Sequence, residues 1–274
     1  MKYEDIFSVV DKVVLITGGF GQIGLAMAGE FFHRGARVAL ASRSADADAL
    51  AKFPQFDDPD RIMAVPMDIT SKGSVQAAIA QVADRWDSID ILVNNAGLDT
   101  QPSAPPEVSG PFETFPVETF REVVDVNLTG TFIVTQAVGA MMKAAGRGGS
   151  IINVGSIYGM VSPVQDIYAY RAEQGSPFTK PVAYSAAKSG IYNLTRYCAT
   201  YWGRDGIRVN TLTPSGVRRD TQDATFQANY TARIPIGRMA EADEFNGAVI
   251  FLGSPASKYM TGSNLIVDGG WTAW

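Results

Sequence analysis

Tyr184 and Lys188 stand four residues apart in the run Ala183-Tyr184-Ser185-Ala186-Ala187-Lys188-Ser189-Gly190. Apolar residues continue from it at helical spacing through Ile191, Leu194, Tyr197 and Cys198, so the run opens a helix. Four residues is about one helical turn, which puts the phenol and the ammonium on one face. A phenol beside an ammonium is a usable acid–base group, because the positive charge favours the phenolate and draws the pKa down from about 10. Taken alone the spacing is weak, since a surface pair has the same pattern. Its meaning depends on the other stretches able to do chemistry.

The first of these is Gly18-Gly19-Phe20-Gly21-Gln22-Ile23-Gly24, which contains Gly19-x-Gly21-x-x-Gly24. It follows the apolar, β-branched run Lys12–Thr17 and precedes a helical pattern through Ala28, Phe31 and Phe32. Strand, glycine turn and helix together form the context in which backbone amides meet a dinucleotide pyrophosphate. The next strand, Ala36–Ser42, ends in Ser42-Arg43, where an NAD-binding unit would place Asp or Glu for the ribose 2′-hydroxyl. Arginine can pair with a 2′-phosphate and serine can hydrogen-bond it, which favours NADP(H) over NAD(H). The other reading of Arg43 is a solvated side chain, its field weakened by Asp46 or Asp48.

Further along, the strand Ile62–Met67 ends in Asp68, able to accept from an adenine amine or to cap the helix over about Ser71–Trp86. The strand Ile89–Val93 runs into Asn94-Asn95-Ala96-Gly97, small and amide residues that suit a flat ligand lying on the backbone. Leu98–Pro116 reads as a loop. A long helix is predicted from about Val117 to Ala145, with Asn127 and Gly130 inside it. A mid-helix asparagine is locally unfavourable. It serves either to distort the helix and free a carbonyl for water, or to cap a buried neighbour. The strand Ser150–Val154 ends in Gly155-Ser156, where open parallel sheets bind ligands.

The elements that must position these residues alternate strand and helix. The remaining strands are Ile207–Leu212, leading into Thr213-Pro214-Ser215-Gly216-Val217, and Asn264–Val267, closed by Asp268-Gly269-Gly270. A further helix is expected from about Glu241 to Leu252. The fold class is α/β, a Rossmann-type doubly wound parallel sheet of about seven strands with helices on both faces. Residues 1–274 read as one dinucleotide-binding domain, with a substrate lid inserted at about 157–182 and a polar, mobile flap at about 216–234.

A chain of 274 residues, 46% of them apolar, can bury a full core. Its net charge of -5, without a Lys/Arg run, argues against a nucleic-acid surface. The N-terminus lacks the apolar core of a signal peptide and no apolar run approaches a membrane span, so a cytoplasmic location is expected. A single cysteine, Cys198, and a single histidine, His33, leave no cysteine-clustered or histidine-rich metal site. Cys198 is read as core packing and His33 as a solvated or capping residue at a helix end.

The motifs occur in an order that resembles the short-chain dehydrogenase/reductase family, in its single-domain branch. They are the Thr17-Gly18 glycine loop, Asp68, Asn94-Asn95-Ala96-Gly97, Asn127, Ser156, Tyr184 with Lys188, Pro214 and Asp268-Gly269-Gly270. The resemblance runs from Lys12 to Gly270. It implies an NAD(P)-dependent oxidoreductase moving a hydride between nicotinamide and a carbonyl or secondary alcohol, sugar-like or polyol as a first reading. Ser156, Tyr184, Lys188 and Asn127 would be its catalytic residues. The cofactor would lie along Gly18, Gly19, Phe20, Gly21, Gln22, Ile23 and Gly24. It would pass Ser42, Arg43, Asp68, Ile69, Asn95, Ala96 and Gly97 and end near Pro214 and Val217, with Tyr184 and Lys188 reaching it. A dimer or tetramer is also implied.

Two departures from that pattern stand out. The single-domain branch usually has glycine at the Gln22 position, whereas Gly18, Gly21 and Gly24 follow the longer, nucleotide-sugar-modifying branch. The step from Ser156 to Tyr184 is roughly twice the usual one, and with the loop spacing it resembles members from flagellin-modification and sialic-acid-like sugar pathways. The rivals are an epimerase or dehydratase using the same dyad, and a non-catalytic NADP(H)-binding protein.

Overall fold

The computed structural model describes residues 5–274. Its first strand, β1 (Val13–Thr17), is buried at every position. Alternate side chains leave on opposite faces, Val13 and Leu15 into one apolar layer and Val14 and Ile16 into the other. A strand covered on both sides needs apolar residues throughout, which is why VVLIT reads as a continuous run.

The other strands are β2 (Arg37–Ser42), β3 (Ile62–Pro66), β4 (Ile91–Asn94), β5 (Gly149–Val154), β6 (Ile207–Pro214) and β7 (Asn264–Val267). They form one seven-stranded sheet in the order β3-β2-β1-β4-β5-β6-β7, parallel throughout. The helices are α1 (Gln22–His33), α2 (Ala47–Ala51), α3 (Lys72–Trp86), α4 (Val117–Val124) and α5 (Thr131–Ala145). They continue as α6 (Ile157–Met160), α7 (Tyr170–Glu173), α8 (Val182–Trp202), α9 (Ala224–Thr231) and α10 (Asn246–Gly253). On one face α3, α5 and α8 cover the sheet with Val75, Val82, Val134, Val138, Met142 and Cys198. On the other face α1 and α10 do so with Met27, Phe31, Val249 and Leu252. Each such side chain, fully buried, contributes about 1.5–3 kcal/mol. The expected fold class is the one observed.

Strand order reverses between β1 and β4, and there the crevice for a ligand opens at the carboxyl ends of the strands. A buried polar row crosses the sheet next to that edge. Asn94 Nδ2 donates to Thr135 Oγ1 (2.9 Å) and Asn153 Oδ1 (2.8 Å), Asn153 Nδ2 donates to Thr195 Oγ1 (2.9 Å), and the Thr211 and Thr195 hydroxyls bond at 2.9 Å. Asn94, Asn153 and Thr211 are register partners on β4, β5 and β6.

Three regions differ from the sequence reading. The long helix is continuous over 29 residues, Val117–Ala145, but passes through a π-helical turn at Asp125–Gly130. By length and composition that stretch could cross a membrane, contrary to the expectation that no run does; its apolarity follows from the burial of Val134, Val138 and Met142 against the sheet. The segment at 157–182 carries α6, α7 and a 3-10 turn at Gln165–Tyr168, and 216–234 carries α9, capped by Asp223, where no helix was expected. These two segments and the chain end pack on each other through Tyr158, Tyr168, Phe178, Phe226, Tyr230 and Trp271, a third apolar cluster lying over the crevice.

Candidate active site

A cleft of about 370 Å³ opens at the carboxyl edge of the sheet. Its floor begins at the end of β1. Gly18 adopts φ +62, a left-handed conformation that glycine reaches without strain, and Gly21 N donates to Gly18 O at 3.0 Å. Helix α1 starts after Gly21 with no side-chain cap, so the leading amides of α1 face the cleft as an anion site. A Cβ on Gly24 would collide with Gly18 O and lie 2.7 Å from Asn95 Nδ2, so only glycine lets loop, helix and β4 close together. Asn95 completes the seam: Nδ2 donates to Thr17 O (3.2 Å) and Gly18 O (3.1 Å), and the Asn95 and Ala96 amides both donate to Thr17 Oγ1 at 3.1 Å.

Ser42, at the end of β2, lines the same cleft with its hydroxyl buried and, among the described residues, without a hydrogen-bond partner. Arg43 beside it is exposed and forms no ion pair among the described residues, while Asp46 is committed to capping α2 through the Ala49 amide. A glycine cradle, open helix amides and an orphaned hydroxyl fit a dinucleotide.

At the other end of the cleft, α8 presents Tyr184 and Lys188, and Ser156 caps α6 through the Tyr158 amide. Lys188 is 4% exposed, and its ammonium donates to Val154 O at 2.7 Å and stands 5.9 Å from the Tyr184 ring centroid. The Ser156 hydroxyl faces the Tyr184 phenol. Asn127 lies behind this group, fully buried in the π turn. Its Oδ1 accepts from Leu98 N (2.7 Å), its Nδ2 donates to Leu98 O (2.8 Å), and its carbonyl accepts from Thr131 Oγ1 (3.0 Å). The helix is distorted at Asn127 and its side chain pins Leu98, while its carbonyl is engaged by Thr131.

A family model described as Enoyl-(Acyl carrier protein) reductase matches residues 21–272. The L-rhamnose 1-dehydrogenase (NAD(P)(+)) of Azotobacter vinelandii is 31% identical over 96% of this chain and 97% of its own. A short-chain type dehydrogenase/reductase from Mycobacterium marinum has the same fold at TM-score 0.84, with 30% identity and 98% of each chain covered. A gluconate 5-dehydrogenase from Burkholderia cenocepacia, solved in complex with NADP and tartrate, gives TM-score 0.84 and 31% identity over 98% of both chains. The chain belongs to the short-chain dehydrogenase/reductase family. It is an NAD(P)-dependent oxidoreductase.

Within this oxidoreductase the expected residues separate into two groups. Gly18, Phe20, Gly21, Gln22, Ile23, Ser42, Asn95, Ala96, Gly97, Ser156, Tyr184, Lys188, Pro214 and Val217 line the cleft. Gly19, Gly24, Arg43, Asp68, Ile69 and Asn127 do not. Gly19 turns toward β2, its amide donating to Ala41 O, and Ile69 is buried in the core. Asp68 Oδ1 accepts from the Thr70 amide and hydroxyl, and Ser71 rather than Asp68 caps α3.

The Tyr184 pKa departs from the sequence reasoning, which expected Lys188 to lower it. Burial pushes it above the ordinary phenol value, the Asp99 charge adds to the rise, and the Ser156 hydrogen bond opposes it. Burial also draws Lys188 down to about 8, against a smaller upward pull from Asp99. Loss of hydration disfavours both charged forms, and the ammonium is turned to the Val154 carbonyl rather than to the phenol.

The sequence reading missed several lining residues: Asp99, Lys180, Arg219, Gln222 and Tyr230. Arg219 Nε donates to Gln22 Oε1 (3.1 Å) and Gln22 Nε2 to Arg218 O (2.8 Å), which ties the segment before α9 to the glycine loop. The one available signal for that segment was Asp223 three residues before Phe226, a capping residue ahead of an apolar position.

Proposed function

We propose that this chain interconverts a secondary alcohol and a carbonyl on a sugar-like or polyol substrate, using NADP(H) in preference to NAD(H). The observation that carries the reading is the meeting of Ser156, Tyr184 and Lys188 in the cleft floored by the glycine loop. Bound there, the nicotinamide supplies a hydride donor or acceptor. Tyr184 gives a proton to the nascent alkoxide, or takes it in oxidation, and Ser156 donates to the substrate oxygen as charge develops. Lys188 holds the ribose hydroxyls and passes protons onward. The Asn127 carbonyl, with one lone pair left beside its bond from Thr131, anchors a water on that route.

The orphaned Ser42 hydroxyl and the free Arg43 support the 2′-phosphate preference. The L-rhamnose and gluconate dehydrogenases support a hydroxylated substrate. The 157–182 segment acts as substrate wall and the 216–234 segment as flap over one domain. The exposed Tyr197 and Tyr201 on α8, with Ile266 and Trp274 near the C-terminus, support a homo-oligomer, a dimer or tetramer.

The test pairs calorimetric titrations of NADP⁺ and NAD⁺ with an alcohol screen. NADP⁺ is expected to bind at least about tenfold more tightly, with the advantage lost in Arg43→Ala, since a charge-assisted contact is worth about 1.5–3 kcal/mol. Equal or better NAD⁺ binding sinks the preference. Retained cofactor with no net reduction by any alcohol would mark an epimerase-type reaction instead.

A further inference from the structure

The cleft holds an ion pair to which no role has been given above. Lys180 enters from the 157–182 segment, where Gln165 grips its main chain from both sides: Lys180 N donates to Gln165 Oε1 (2.9 Å) and Gln165 Nε2 to Lys180 O (3.1 Å). Its ammonium donates to Asp99 Oδ1 (2.6 Å) and Thr100 O (2.8 Å), and lies 5.5 Å from the Tyr184 ring centroid. The pair is lopsided. The Lys180 side chain is 5% exposed, whereas that of Asp99 is 36% exposed and lines the cleft. Lys180 engages one carboxylate oxygen, and among the described residues no donor reaches Oδ2.

Hiding a lysine costs desolvation that its attraction to a carboxylate only partly offsets, so apolar residues would pack this wall at least as well. What the pair provides is a carboxylate fixed in place and open on one side. An ionised carboxylate only accepts hydrogen bonds, binds hydroxyl donors with charge assistance and repels another anion. Its charge also reaches the Tyr184 phenol, so it stands close to where the reacting carbinol sits.

We propose that Asp99 is a specificity residue: its free oxygen accepts from a substrate hydroxyl flanking the reacting carbon, so the enzyme takes neutral polyhydroxylated substrates in preference to carboxylate-bearing ones. Lys180 is the positioning residue that fixes Asp99. The inference rests on the dehydrogenase reading and narrows it, since the two relatives above are named for a neutral sugar and for an aldonate.

The experiment compares matched pairs at saturating cofactor: threitol with threonate, sorbitol with gluconate, and glycerol with glycerate. It uses wild type, Asp99→Asn and the charge-neutral double variant Asp99→Asn/Lys180→Met. In wild type, kcat/KM for the best neutral member is expected to exceed that of its acid by about tenfold or more. Both variants are expected to raise the neutral KM by about tenfold, with kcat within about threefold, and to narrow the ratio. Cofactor affinity stays unchanged, a readout that a general loss of structure would move. The double variant keeps the test alive if an unpaired Lys180 unfolds the single one. A wild-type preference for the acids, or a neutral KM unmoved in the variants, overturns the inference while leaving the dehydrogenase reading intact. If no member reduces the cofactor, that reading falls, and calorimetric titration of threitol into the protein–cofactor complex decides separately. Binding weakened by Asp99→Asn upholds the site, and absent or unaltered binding removes it.

Discussion

At the glycine-loop end the cleft is walled by main chain, with Gly18, Gly21, the α1 amides and the Asn95–Thr17 seam all lying within short stretches at strand ends. At the other end it is walled by side chains from segments far apart: Asp99 after β4, Tyr158 and Lys180 from 157–182, and Tyr230 from α9. The first end offers fixed dipoles and tolerates no added atom at Gly24. The second offers phenols, a carboxylate and an apolar cluster. The two ends therefore recognise by different means, one through main chain and the other through side chains.

Tyr184 stands where the two ends meet, and replacing it tests their independence most severely. Tyr184→Phe is expected to lower kcat by about 10²–10⁴-fold in single-turnover assays. Calorimetry should find cofactor affinity within about twofold of wild type; normal turnover by the folded variant ends the assignment.

The pH dependence of stability probes Lys188. In the cofactor-free protein its pKa is drawn down from 10.5 to about 8, so between those values only the unfolded chain holds the proton. The stability traceable to Lys188 therefore rises with pH across that window, by about 1–3 kcal/mol, and is already at its low value below pH 8. Urea midpoints for wild type minus Lys188→Met should show this rise; a flat difference would falsify the buried, depressed lysine.

Gly24→Ala tests the cofactor end alone. The overpacked Cβ is expected to cost about 1–3 kcal/mol in denaturant titrations and to weaken both NADP⁺ and NAD⁺. Equal cofactor affinity in that variant would mean that the loop can yield. The smallest effect is expected from Gln22→Ala, which cuts the exposed link to Arg218 and Arg219. It should raise the substrate KM by no more than about fivefold, as loss of one exposed hydrogen bond implies, with stability unchanged. A larger rise in substrate KM would show that the two ends are coupled through this link.

The same division explains what could be read from the sequence. The strands and the cofactor cradle follow from local patterns: VVLIT before a glycine turn, Ser42-Arg43 closing a strand, Asn95-Ala96-Gly97 closing another. Strand ends were placed to within about two residues, β7 at its observed limits. Asp99 and Lys180, 81 residues apart, share no pattern that announces their contact. Helix α9 was missed because only Phe226 and Tyr230 face inward from a mostly polar turn. The direction of the Tyr184 pKa was misjudged because four-residue spacing shows a charge nearby but not its loss of water.

The polar row through Asn94, Asn153, Thr195 and Thr211 bears on how the sheet assembles. β4, β5 and β6 come from distant parts of the chain and must meet in one alignment. A slip of one residue would turn these amides and hydroxyls to the opposite, apolar layer, where no partner awaits them. Apolar residues alone would accept several alignments at similar cost. The row thus makes one alignment of the parallel strands cheaper than its neighbours, a register mark written in amides and hydroxyls.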